Sequence, residues 1–139
     1  MPIAYITRRE RFNAAHRLFR DDLTDEQNFE VYGNCSHPNW HGHNFELFVT
    51  VKGEVDSKIG YVANLKKISL VIKQFIIDKV DHKNINIDVD FMRGKIASTE
   101  NLAISIWNEL YSPLKAMKVE LYCVKIVETE NNYVEYFGE

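Results

Sequence analysis

The chain has 139 residues, of which 45% are apolar, so it is long enough for one domain with a real core and too short for a multidomain protein. Its net charge of -3 disfavours nucleic acid as a partner, because a nucleic-acid backbone is held by a basic surface. No apolar run reaches the roughly 20 residues of a bilayer span, and the N-terminus is charged rather than typical of a signal peptide. We therefore expect a single domain over residues 1–139, cytoplasmic and without membrane contact.

The first half of the chain predicts two β-strands separated by a polar segment. Residues 3–6 and 12–15 are typical of an extended first strand with a bulge. The polar segment 20–39 is too long for a hairpin turn, and a loop of that length usually carries a function. Apolar and polar residues alternate over 44–52, which predicts a half-buried second strand.

The second half predicts two helices. Apolar residues recur at helical spacing up to residue 79, after Asn64, which is a suitable N-cap. A second helix begins after Ser98 or Thr99 and is expected to stop at Pro113, because proline cannot donate a helical hydrogen bond.

The chain ends in a predicted hairpin. The β-branched and aromatic runs at 119–127 and 133–137 flank a turn-forming cluster. The order strand, strand, helix, helix, strand, strand indicates an α+β domain. We expect a four-stranded antiparallel sheet with both helices on one face.

Three histidines predict a metal site. His41 and His43 open the second strand two residues apart, so a strand directs both imidazoles to the side that also carries Phe45. His16 shares parity with Phe12 at the end of the first strand, which an adjacent strand would bring alongside. Three neutral imidazoles and one open position are typical of catalytic zinc.

The two cysteines have different surroundings. Cys123 lies in an apolar run and is predicted to be buried and inert, as a free thiol. Cys35 lies in a polar loop six residues before His41, from which its sulfur could reach a metal. A thiolate there could be a general base, a nucleophile or a fourth ligand, and spacing alone leaves these open. His37, also nearby, has no periodic relation to the other histidines, and we interpret it as a loop residue.

Two further acidic positions have two interpretations each. Asp81 and His82 are adjacent and could form a proton relay, although an adjacent Asp-His pair in a loop is more often a solvated turn. Glu128 ends an apolar strand. It either faces water or points into the fold, where a carboxylate could accept two parallel hydrogen bonds from a guanine or pterin edge.

Taken together, five segments resemble the 6-pyruvoyl-tetrahydropterin synthase family in order, residue type and spacing, nearly from end to end. The segments are Phe12-Asn13-Ala14-Ala15-His16-Arg17-Leu18, Cys35 with His41-Gly42-His43-Asn44, Asp81-His82-Lys83-Asn84, Ser98-Thr99-Glu100-Asn101, and Glu128-Thr129-Glu130-Asn131-Asn132.

The resemblance implies a role for each matching residue. The zinc ligands would be His16, His41 and His43. Cys35 would abstract a proton, and Asp81 and His82 of a neighbouring subunit would complete the relay. Glu128 would anchor the pterin ring, helped by Ser98 and Thr99.

The implied activity is a zinc-dependent lyase that converts 7,8-dihydroneopterin triphosphate to 6-pyruvoyltetrahydropterin and releases triphosphate, without a redox cofactor. The implied fold is the tunnelling fold, in which the sheets of three subunits close into a barrel and two rings form a homohexamer.

The spacing from His16 to Cys35 and from Cys35 to His41 is similar to that of the animal enzymes. It differs from the shorter loop of bacterial 6-carboxytetrahydropterin synthases, which use the same substrate in queuosine synthesis and are the alternative hypothesis. A non-catalytic zinc- or pterin-binding module is a third. His37 and Trp40 stand where the animal pattern usually has Asn and Gly, which leaves substrate and product preference open.

Overall fold

The computed structural model describes residues 1–139 as an α+β arrangement of one sheet and its covering helices. The sheet has five strands in the order β3-β1-β2-β4-β5. The strands are β1 (Ile3–His16), β2 (His41–Glu54), β3 (Lys83–Asn84), β4 (Glu120–Thr129) and β5 (Asn132–Tyr136). The helices are α1 (Asp25–Tyr32), α2 (Leu65–Ile72), α3 (Asp78–Val80) and α4 (Thr99–Ala116).

The two longest strands form the centre of the sheet. β1 and β2 are antiparallel and pair over 14 residues each, from Ile3 opposite Glu54 to His16 opposite His41. The expected bulge in the first strand is wrong, because β1 is continuous. The second strand begins at His41, three residues before the alternating stretch 44–52, and the prediction that His41 and His43 open it is confirmed.

The prediction of a four-stranded, wholly antiparallel sheet is also wrong. β3 adds a fifth strand, parallel to Ala14 and Ala15 of β1. A strand of two residues is too short for the period-two pattern by which strands are found in a sequence. The closing hairpin of β4 and β5 is confirmed.

The polar segment 20–39 contains a helix where a loop was expected. α1 begins at a capping box, in which Thr24 accepts from the backbone of Gln27 and the Gln27 side chain accepts from the backbone of Thr24. Only Asn28 of this helix is buried. Because no apolar face is buried, the helical period that normally identifies a helix is absent from its sequence.

The first predicted helix is confirmed, with α2, the π-helical segment Lys73–Ile77 and α3 following one another directly. Asn64 caps it, accepting from Lys66 N at 2.9 Å. The expected stop at Pro113 is wrong, since α4 continues to Ala116. The lost proline hydrogen bond is outweighed there by Leu114, which is fully buried in the core.

The core lies between the helices and one face of the sheet. The Phe12 and Phe45 rings stack there with centroids 4.9 Å apart, and Leu47, Val49 and Val51 are buried, as the alternation predicted. The opposite face is exposed and carries residues such as Tyr5. No helix has the length and apolar character needed to cross a bilayer. His16, His41 and His43 share strand parity with Phe12 and Phe45, so they lie on this helix-covered face.

Candidate metal centre

The three histidines meet at one end of the central strand pair. His16 lies directly opposite His41 in the register, and His43 lies opposite Ala14, one diagonal step away. Their ring centroids are 4.4 to 5.2 Å apart. One nitrogen from each ring lies within 4.8 Å of the others, a spacing that could hold a metal ion.

The free ring nitrogens fit a cation. His16 is 2% exposed, and its Nδ1 lies 2.7 Å from the carbonyl oxygen of Ala97. A carbonyl only accepts, so Nδ1 carries the proton and Nε2 presents a lone pair. Buried nitrogens without partners remain at His16 Nε2, His41 Nδ1 and Nε2, and His43 Nε2. Such groups are rare without compensation, and a bound metal ion would satisfy one nitrogen of each ring.

Burial also keeps the ligands in the form that binds metal. It lowers the pKa of His16, against the opposing effect of the hydrogen bond to Ala97. Burial likewise lowers the pKa of His41, with the nearby His16 and His43 rings adding to the effect. Both imidazoles are therefore neutral at pH 7, as coordination requires.

A carboxylate borders the triad. Glu128 points into the fold, with its Oε1 3.2 Å from His43 Nε2, although the two atoms are not aligned as a hydrogen bond. Its Oε2 accepts from the hydroxyl of Thr99, which is buried in the first turn of α4. Ser98 caps the same helix by accepting from Asn101 N at 3.1 Å. Of the two interpretations of Glu128, the inward one is correct.

Cys35 lies outside the group of atoms that can share an ion. It is a half-buried free thiol in the 3₁₀ turn Gly33–Ser36, while Cys123 is free and buried, as predicted. His37 is also outside the group, and its Nδ1 accepts from the backbone of Asn39 at 3.2 Å. The fourth position of the site therefore has no protein ligand among these residues.

Half-buried Asp81 and exposed His82 lie beside β1, on the side away from β2. Asp81 Oδ1 accepts from Asn13 N at 2.9 Å and lies 3.1 Å from His82 Nδ1. The Asn13 hydrogen bond lowers the pKa of Asp81. The His82 side chain is 77% exposed, and no hydrogen bond or ion pair joins it to Cys35 within the chain. One chain does not bring the predicted relay together.

A cleft of about 600 Å³ lies beside the ends of β1 and β2 and the strand β3. Its lining includes His43 of the triad, His82, and Asp88 in the segment that follows β3, but not Cys35.

The role of Ala97 in orienting His16 could not be predicted from the sequence, because a backbone carbonyl that orients a histidine ring leaves no trace in residue type.

Three comparisons with known proteins agree with this geometry. The family model described as 6-pyruvoyl tetrahydropterin synthase matches residues 5–139. A relative named 6-pyruvoyl tetrahydrobiopterin synthase, from Dictyostelium discoideum, is 46% identical over 96% of each chain. The solved structure of Caenorhabditis elegans 6-pyruvoyl tetrahydropterin synthase superposes with a TM-score of 0.92 at 38% identity, covering 100% of this chain and 98% of that one. A 6-carboxy-5,6,7,8-tetrahydropterin synthase from Rickettsia bellii is only 26% identical, over 93% of this chain and 96% of its own.

Proposed function

Because this chain belongs to the 6-pyruvoyl tetrahydropterin synthase family, we propose that it converts 7,8-dihydroneopterin triphosphate to 6-pyruvoyltetrahydropterin and triphosphate. In this reaction it is a carbon–oxygen lyase acting on phosphate. The observation that carries the proposal is the triad of His16, His41 and His43, whose unpartnered ring nitrogens are buried beside the inward carboxylate of Glu128.

Zinc is the metal proposed for this site. Three neutral imidazoles are a ligand set typical of catalytic zinc, and the chain adds no fourth ligand. When bound, the ion would polarise the side-chain hydroxyls of the substrate and make the adjacent carbon-bound protons more acidic. The Ala97 carbonyl fixes the His16 ring through Nδ1, so that Nε2 would be the atom that binds the ion.

The thiolate of Cys35 is proposed as the base that removes a proton from the substrate side chain. Its half-buried position on a turn leaves the sulfur accessible, and its absence from the ligand group leaves it free to take a proton. Asp81 and His82 are proposed to complete the relay at the Cys35 of a neighbouring subunit. The Asn13 hydrogen bond lowers the pKa of Asp81, and this carboxylate, 3.1 Å from His82 Nδ1, would orient the His82 ring.

Glu128 is proposed to orient the pterin ring. Its carboxylate can accept from the ring N3–H and the 2-amino group, which lie parallel like the donors of an amidine. Thr99 fixes the rotamer by donating to Oε2, and Ser98 fixes Thr99 by capping the helix that carries it. Orientation by this set places the substrate side chain toward the triad.

The assembly proposed for the chain, a single domain, is a cytoplasmic homohexamer of two three-subunit barrels. The sheet ends in β3 and β5, each paired on one side only. Such edges are normally covered, and closure of several sheets into a barrel covers them. An assembly of this kind would also bring Asp81 and His82 of one chain to the site of another.

The test is to incubate the zinc-loaded protein with 7,8-dihydroneopterin triphosphate and to identify the products by mass. We expect triphosphate and 6-pyruvoyltetrahydropterin in equal amounts. Release of acetaldehyde would instead assign the 6-carboxytetrahydropterin reaction. A protein that binds zinc and releases no triphosphate would contradict catalysis and favour a binding module.

A further inference from the structure

The side chain of Arg17 contacts the turn that carries Cys35. Arg17 directly follows the ligand His16, yet its side chain is only 14% exposed. Its Nε donates to the carbonyl oxygen of Ser36 at 2.9 Å, and its guanidinium carbon lies 4.1 Å from the centroid of the Phe19 ring. A largely covered arginine with these contacts is held in one conformation rather than solvated.

The Arg17 guanidinium makes two more contacts, with Trp40 and Asp25. The guanidinium carbon lies 5.9 Å from the Trp40 ring, and Nη2 lies 3.7 Å from Asp25 Oδ1. Asp25 begins α1, and Trp40 immediately precedes β2. One planar cation therefore links the segments on both sides of the Cys35 turn. A lysine would not reproduce this arrangement, because it lacks the Nε–H and the flat face that packs on rings.

A backbone bond lies beside this contact. Leu18 N donates to the carbonyl oxygen of Cys35 at 2.8 Å. The carbonyls of Cys35 and Ser36 are thus both hydrogen-bonded to the two residues that follow His16. Only the bond to Ser36 uses a side chain, so substitution of Arg17 removes it and leaves the other in place.

We propose that Arg17 is a positioning residue for Cys35, holding its turn at a fixed distance from the histidine triad. The proposal rests on the proposed function, in which Cys35 takes a proton from the substrate. Without the guanidinium, the Leu18 bond and the bond from the Ser36 hydroxyl to the Gly33 carbonyl remain to hold the turn. A displacement of about 1 Å in a reacting group costs on the order of a hundredfold in rate.

A direct contact with the triphosphate is the competing role for an arginine near the site. It would have a different kinetic signature, because loss of a group that binds ground state and transition state equally raises KM and leaves kcat unchanged. Loss of a positioning group lowers kcat at nearly constant KM. The bonds that already engage the guanidinium favour positioning.

The experiment compares zinc-loaded Arg17→Met and Arg17→Lys with the control Arg93→Met. The Arg93 side chain is 77% exposed and pairs only with Asp90, which is itself exposed. We measure kcat, KM and zinc content, and we follow alkylation of each cysteine by iodoacetamide with peptide mass spectrometry. Buried Cys123 reports whether a variant is folded.

For Arg17→Met we expect a kcat lower by about 10- to 100-fold, KM within about twofold, and unchanged zinc content. Cys35 should be alkylated several-fold faster while Cys123 stays protected, and Arg17→Lys should change in the same direction. Wild-type kcat and alkylation in either folded variant, or a rise in KM alone, would overturn the proposal. If the wild type releases no triphosphate, the proposed function fails, and the alkylation rates still test the positioning of Cys35.

Discussion

The histidine triad and the Asp81–His82 pair differ in how much of a site one chain completes. The triad is assembled by two paired strands, with His16 buried and His41 and His43 half-buried, and the Ala97 carbonyl orients the His16 ring. The pair lies at the sheet edge with His82 largely exposed and without contact to Cys35. Asn13, which holds Asp81, lies three residues before His16 on β1, about 10 Å along an extended strand. One chain thus assembles the three histidines that could hold a metal ion, and in the proposed mechanism a second chain supplies Asp81 and His82.

The largest effect is expected from removing a ligand of the triad. His41→Ala should lose its bound zinc and fall in turnover by more than about a hundredfold, since even changes behind the ligands cost 10–100-fold. Metal analysis and product release measure the two effects. The control is His37→Ala, four residues away and outside the ligand group, which should keep both zinc and turnover. Full zinc occupancy in His41→Ala would contradict a site built within one chain.

Removing the thiol should separate chemistry from metal binding. Cys35→Ala is expected to retain zinc and to lose about 10²- to 10⁴-fold in kcat, the contribution typical of a general base. Zinc content and kcat are measured on the same preparation. Loss of zinc in this variant would instead make Cys35 a fourth ligand and the site a structural one.

A smaller effect is expected from removing the Thr99 hydroxyl, which orients Glu128, the residue proposed to bind the pterin ring. Thr99→Val keeps the shape of the side chain but removes the hydroxyl that donates to Glu128. A hydrogen bond to a charged group contributes about 1.5–3 kcal/mol, which corresponds to a rise in KM of about 10- to 100-fold. Steady-state kinetics with Thr99→Ser as the matched control provide the measurement. An unchanged KM in Thr99→Val would show that Glu128 is oriented by other contacts.

The smallest effect is a pH dependence confined to the metal-free protein. Burial holds the pKa of His16 and His41 below the ordinary value of 6.5. As the pH falls below 6.5, the unfolded chain takes up protons that these folded imidazoles do not, so the free energy of unfolding decreases. Urea denaturation of the apo protein at pH 8 and pH 5.5 measures it, and His16→Gln should reduce the difference. A larger free energy of unfolding of the apo protein at pH 5.5 than at pH 8 would contradict the lowered pKa of His16 and His41.

The features that could be predicted from the sequence are those that follow a regular pattern of apolar and polar residues. His41 and His43 could be placed on the covered face because strand parity is regular, and Glu128 could be placed at the end of a strand. α1 could not be found, since it buries only Asn28 and has no apolar face. The contact of Arg17 with Ser36 joins residues whose proximity depends on the fold of the intervening segment, and no local pattern records it.

Complementation tests the proposed shared site most directly. In that site one chain supplies the three histidines and the Cys35 thiol, and another supplies Asp81 and His82. Cys35→Ala and His82→Ala are co-expressed with different tags, and mixed oligomers are isolated by both tags. If the site is shared, about a quarter of the sites in a randomly assembled mixture combine two intact contributions, and triphosphate release rises far above that of either parent. Mixed oligomers that are no more active than their parents would contradict the shared site and place the relay within a single chain.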